Sequence, residues 1–209
     1  PIILAGSTHE PEEEIILNAF FNLDINATLI IAPRHPERFA EVENLIKRKI
    51  KETNKMVYFS KQSEISSTFN VLYYPTICII LVDQIGILGS LYRVCDIAII
   101  GGSFIPHGGQ NPLEPAYWRK PIICGPYMHN FPFIEEFLKQ KASIMTDKNS
   151  LEKVINELID RKQLRDSMGN KAYNMFLTKS GATDRTLELL KNFILQQASP
   201  TQTAYLNVQ

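Results

Sequence analysis

The sequence predicts an α/β fold, a doubly wound parallel sheet. Three observations predict it. Its strand-length runs are apolar throughout rather than alternating, as in strands buried on both faces. These runs alternate with segments of helical period. Glycines and polar residues collect just after the runs, where sheets of this kind bind ligands.

Each element follows in order. Residues 1–8 (PIILAGST) form a buried strand ending in small and polar residues. Residues 10–23 make a helix with acids in its first turn, where the helix dipole favours them. Residues 27–33 (ATLIIAP) are a second apolar strand, and 34–53 a loop entering an amphipathic helix with Phe39, Val42, Leu45, Ile46 and Ile50 on one face. Strands follow at 55–60, 76–83, 96–102 and 121–126, with a short helix at 90–95 and a short or edge strand at 142–147. Two helical segments occupy 150–177 and a final helix 181–197. No internal repeat or low-complexity linker interrupts this order, so residues 1–197 read as one domain. Residues 198–209 read as a polar, mobile tail. The chain opens on Pro1 directly in its first strand, which reads as a domain cut from a longer protein.

Composition narrows the function. Of 209 residues, 22 are Lys or Arg and 22 are Asp or Glu. This balance argues against a general nucleic-acid binder, which needs a basic surplus. Cys78, Cys95 and Cys124 lie in or beside apolar runs with no CxxC pair, and read as reduced, buried thiols of a cytosolic protein. No run reaches the roughly 20 apolar residues of a membrane-spanning helix, and no signal peptide is visible. His9, His35, His107 and His129 stand on separate loops without ligand spacing, so no metal is expected. No GxSxG elbow or local Cys–His pattern names a nucleophile.

The candidate site lies at the carboxyl ends of the strands. Between a strand and a helix, Gly101, Gly102, Gly108 and Gly109 fall within nine positions, with Ser103 among them and Asn111, Pro112 and Glu114 following. Backbone N–H groups at such a helix start bind phosphate. The stretch is neither GxGxxG nor a P-loop. It reads equally as a tight, well-capped connection, with Asn111 as N-cap and Glu114 closing a capping box. Glu114 alternatively accepts from ribose hydroxyls. Arg34 and His35 sit on a loop fixed by Pro36, where Arg34 serves as a phosphate or carboxylate clamp or pairs with Glu37 or Glu41. Arg38 begins the helix and is the better candidate for that pairing. Gly6, Ser7 and Thr8 close the first strand and offer hydroxyls and N–H groups, or cap the helix.

Three of these motifs together, AGSTHEPEE, PRHPERF and GGSF…GGQNPLEPAYWRKPIICGPYMHNF, resemble the 3-deoxy-D-manno-octulosonic acid (Kdo) transferases of lipopolysaccharide assembly. The resemblance runs in order from Ala5 to about Phe133. It implies the Rossmann-like C-terminal half of an inverting GT-B glycosyltransferase, which binds the donor CMP-Kdo and uses no metal or other cofactor. It implies that Ser7, Thr8, Arg34, His35, Gly101, Gly102, Ser103, Gly108, Gly109, Asn111 and Glu114 line the donor pocket. The N-terminal half would receive the lipid A precursor and supply the general base. The full-length enzyme would meet the cytoplasmic face of the bacterial inner membrane, with this domain soluble. Alternatives are another GT-B transferase or epimerase using a UDP-sugar, or a non-catalytic nucleotide-binding module.

Overall fold

The computed structural model describes residues 1–64 and 76–197; the tail at 198–209 lies outside the described residues. Seven strands form one sheet: β1 (Ile2–Thr8), β2 (Thr28–Pro33), β3 (Val57–Lys61), β4 (Ile77–Leu81), β5 (Ile97–Ile100), β6 (Ile122–Cys124) and β7 (Ser143–Met145). Every recorded pairing is parallel, in the order β3-β4-β2-β1-β5-β6-β7. The helices are α1 (Glu12–Asn22), α2 (Phe39–Glu52), α3 (Leu88–Leu91), α4 (Leu113–Tyr117), α5 (Ile134–Lys139), α6 (Leu151–Asp160), α7 (Lys162–Lys179) and α8 (Ala182–Gln197). By contacts the chain divides into two units, Pro1–Phe176 and Leu177–Gln209. The first holds the sheet; α8 belongs to the second.

Alternation along each strand feeds two cores. Ile3 and Ala5 of β1, with Leu29 and Ile31 of β2, face Ile16, Leu17 and Phe20 of α1 and Val42 and Ile46 of α2. Leu4, Ile30, Ile80 and Ala98 face the other way, toward Tyr92 and Cys95. Each such side chain, removed from water, contributes roughly 1.5–3 kcal/mol before chain entropy is subtracted. The expected face of α2 is the buried one: Val42 and Ile46 are fully buried, and Leu45 and Ile50 pack partly against the same core. All three thiols are buried, and loss of hydration pushes Cys78 up to about 11 and Cys95 and Cys124 to about 12. They are inert at neutral pH.

The strand order reverses direction at β1: β2 lies on one side of it, and β5, reached from β4, on the other. The crevice beyond the carboxyl ends of β1 and β5 is therefore the switch point at which such sheets bind ligands. Near its end, β1 slips by one residue against β2: Gly6 pairs with Ala32, and Thr8, not Ser7, pairs with Pro33. Ser7 takes the left-handed conformation, with φ 56°.

Candidate functional site

The glycine loop begins where β1 and β5 touch. The Gly101 amide donates to the Gly6 carbonyl at 2.8 Å. A Cβ on Gly101 would lie 2.2 Å from the Ser7 carbonyl oxygen, so only glycine permits this approach. Beyond it the backbone turns its amides inward, and there the structure departs from the simplest expectation. The cradle already holds an anion. Glu12, fully buried at the start of α1, accepts from Gly102 at 2.6 Å and His9 at 3.0 Å through Oε2. Through Oε1 it accepts from Ser103 and Phe104, each at 2.9 Å. Burial pushes the Glu12 carboxyl up, and the amides of Phe104, Gly102 and His9 pull it back. With four N–H groups aimed at two oxygens, a carboxyl proton would find only donors, so the group is a carboxylate.

Ser103 is likewise spent inside the protein. Its hydroxyl donates to the Ile100 carbonyl and accepts from the Gly125 amide at 2.7 Å, tying the ends of β5 and β6. Thr8 is fully buried, and its hydroxyl donates to Glu13 at 2.8 Å. Glu13, only 1% exposed, is held by Arg38 through both guanidinium nitrogens, at 2.8 and 3.2 Å. The expected pairing of Arg38 with Glu41 is present at 3.2 Å; the one with Glu13 is the deeper. Thr8, Gly101, Gly102 and Ser103 thus form the floor of the rim.

The upper part of the loop is less fully bonded. Gly108 and Gly109 adopt φ of 102° and 78°, and Asn130 and Met128 pack where a Cβ would stand. The Gly109 amide closes the loop onto the Gly102 carbonyl at 2.7 Å, while those of Gly108, Gln110 and Asn111 have no acceptor among the described residues. Helix α4 starts at Leu113, whose amide donates to Asn111 Oδ1 at 3.1 Å. The expected capping box does not form: the helix starts late, so Pro112 rather than Asn111 is the N-cap, Glu114 falls at N2 rather than N3, and it does not reach back to Asn111. Its carboxyl lies instead in a groove with Gly89, Tyr117 and Trp118 and receives no hydrogen bond from the described residues. Partial burial pushes that carboxyl above the usual range, and the charge of Arg34 works against the shift. Arg34 is exposed, with its amide anchored on the Thr8 carbonyl at 3.0 Å and its guanidinium unpaired among the described residues. The expected alternative pairing of Arg34 with Glu37 or Glu41 is absent.

Three of the four histidines, His9, His35 and His107, also meet, although they stand on separate loops. His9 is 8% exposed. Its ring lies against His107 at 3.9 Å between centroids, tilted by 36°, and meets His35 edge-on at 5.4 Å. Gln110 Nε2 approaches His9 Nε2 at 3.2 Å and donates to it, which requires neutral imidazole. Among the described residues no three metal-ligating side chains form a group that could hold an ion, and no helix is long and apolar enough to cross a membrane. Burial, reinforced by His107 and His35, lowers the pKa of His9 to about 4. The unfolded chain therefore binds the extra proton between pH 6.5 and 4, and the stabilisation present above pH 6.5 is lost as pH falls through that window. Melts across it should show a loss of about 3 kcal/mol that His9→Gln removes. Parallel profiles for the two proteins would refute the neutral-histidine assignment.

Comparison with known proteins adds ancestry to this geometry. No family model matches the chain. A 3-deoxy-D-manno-octulosonic acid transferase of Haemophilus influenzae is 36% identical over 200 residues, covering 93% of this chain and 44% of that relative. A transferase of the same name from Aquifex aeolicus is 36% identical over 168 residues, covering 77% of this chain and 42% of that protein. The chain spans less than half the length of these curated relatives. Among solved structures, the C-terminal CMP-Kdo binding domain of WaaA from Acinetobacter baumannii superposes with a TM-score of 0.71 at 27% identity, covering 83% of this chain and 87% of that domain. The fold is that of a GT-B glycosyltransferase domain, and over most of its length the chain is similar to 3-deoxy-D-manno-octulosonic acid transferases.

Proposed function

We propose that residues 1–197 are the donor-binding half of a Kdo transferase and hold CMP-Kdo at the switch-point rim. One observation carries the reading: Arg34 and Glu114, of opposite charge and near enough for Arg34 to act on the Glu114 carboxyl, have no hydrogen-bond or ion-pair partner among the described residues, and the amides of Gly108, Gln110 and Asn111 have no acceptor there. An unpaired guanidinium together with free N–H groups suits one phosphate. An unpaired carboxylate suits ribose hydroxyls. Ser7 and His35 border the same rim; Thr8, Gly101, Gly102 and Ser103 shape it from below.

In this reading a hydroxyl of the lipid A precursor attacks the anomeric carbon of Kdo, and its bond to the CMP phosphate breaks. Arg34 and the loop amides stabilise the charge gathering on the departing CMP. The general base and the acceptor site come from the portion of the relatives that this chain does not span, as does contact with the membrane. The domain alone binds nucleotide and turns nothing over.

The test is calorimetric titration of the chain with CMP, UMP, UDP and AMP. CMP should bind best. Arg34→Ala and Glu114→Gln should each weaken it about tenfold without lowering the melting temperature. Preference for UDP would move the chain to a UDP-sugar enzyme, and unchanged CMP affinity in both variants would remove these residues from the site.

A further inference from the structure

We propose that Glu12 is a built-in anion that keeps the switch-point cradle closed to phosphate, and so restricts the site to donors carrying a single phosphate. The restriction to one phosphate rests on the donor-site reading above; the closed cradle does not.

Three consecutive amides of the glycine loop, Gly102, Ser103 and Phe104, converge on one point with that of His9. Such a concave run of backbone N–H groups is an anion site. It lies where β1 and β5 diverge, the position at which open parallel sheets receive phosphate. Here a carboxylate from 90 residues upstream in the chain fills it. Glu12 is fully buried and makes no ion pair among the described residues, so the four amides are its whole compensation. In the donor-site reading, one phosphate is left the amides of Gly108, Gln110 and Asn111, which have no acceptor among the described residues, and the charge of Arg34. A second phosphate directed toward the strand ends would meet no free amide there and would face the charge of Glu12.

The experiment separates the two parts. Glu12→Ala should open the cradle to small anions. Rising inorganic phosphate should then raise the melting temperature of Glu12→Ala well above its effect on the wild-type chain, with amide shifts at Gly102, Ser103 and Phe104. Equal stabilisation of both proteins, or shifts elsewhere, would overturn the closed cradle. Should Glu12→Ala fail to fold, Glu12→Gln carries the same measurement, since its amide cannot serve all four donors. For selectivity, CMP and CDP are titrated into wild type, Glu12→Gln and Glu13→Gln. The wild type should prefer CMP, and Glu12→Gln should shift the CDP:CMP affinity ratio toward CDP by about tenfold. Glu13→Gln, equally buried but bonded to Arg38, should lose stability and leave the ratio unchanged. An unaltered ratio in Glu12→Gln, or the same change in both variants, would reduce Glu12 to a structural anchor. Failure of the wild type to bind any nucleotide would defeat the donor reading, while the phosphate melts would still decide the cradle.

Discussion

Arg38→Ala is expected to lower the unfolding free energy by about 3–5 kcal/mol, although Arg38 lies near the surface. The cost arises at Glu13, whose carboxylate is 1% exposed and is held by both guanidinium nitrogens and the Thr8 hydroxyl. Without Arg38 the charge stays buried with one neutral donor, or takes up a proton. Either course forfeits the charge-assisted pair, and neither restores water. The ion pair itself need not be strongly stabilising, because its desolvation offsets much of the attraction. A urea-denaturation cycle of Arg38→Ala, Glu13→Gln and the double variant separates the two effects. The double variant should be more stable than Arg38→Ala alone, since a neutral amide leaves no unpaired charge. A loss below about 1 kcal/mol for Arg38→Ala would place this pair with ordinary surface bridges.

Gly101→Ala should cost about 3 kcal/mol or more and abolish nucleotide binding with it. The added methyl would stand 2.2 Å from the Ser7 oxygen and 2.5 Å from its carbonyl carbon. Those atoms are backbone, so no rotamer change relieves the overlap. Relief requires parting the ends of β1 and β5, and Ser7, Thr8 and the Glu12 cradle hang on that junction. Gly89→Ala is the matched control. Its nearest neighbour would be Glu114 Oε2 at 3.8 Å, an ordinary contact, and its helical setting favours alanine. Equal melting temperatures for the two variants would sink the argument from close approach.

The sheet was legible because fully buried strands must be apolar at every position, and 29–32 or 97–100 allow no other reading. The rim segments themselves were legible as the stretches that follow β1, β2 and β5. What local reading missed was long-range. Glu12 and Glu13 look like solvated acids favoured by a helix dipole, yet they are the most deeply buried charges described. Their signal lies in phase: at helical spacing they share a face with Ile16, Leu17 and Phe20, which points into the core. The capping box was suggested by spacing and failed because Asn111 bonds two residues ahead while Glu114 turns to the groove. Likewise the clustering of His9, His35 and His107 depends on which strands adjoin, which no single loop records.

The slipped register at Ser7 has a consequence for which side of the sheet the chain addresses. Up to Gly6 the strand keeps strict parity: odd positions look toward α1 and even ones toward Tyr92. Counted without interruption, Thr8 would inherit the even side and stand back to back with Glu13. Skipping one residue resets the count, since Thr8 takes the partner that Ser7 would have had. A single left-handed residue thus works as a phase shifter. It delivers the threonine hydroxyl to the carboxylate on α1 and carries the chain onward to His9, while the β-strand itself ends one residue late and half a repeat out of step.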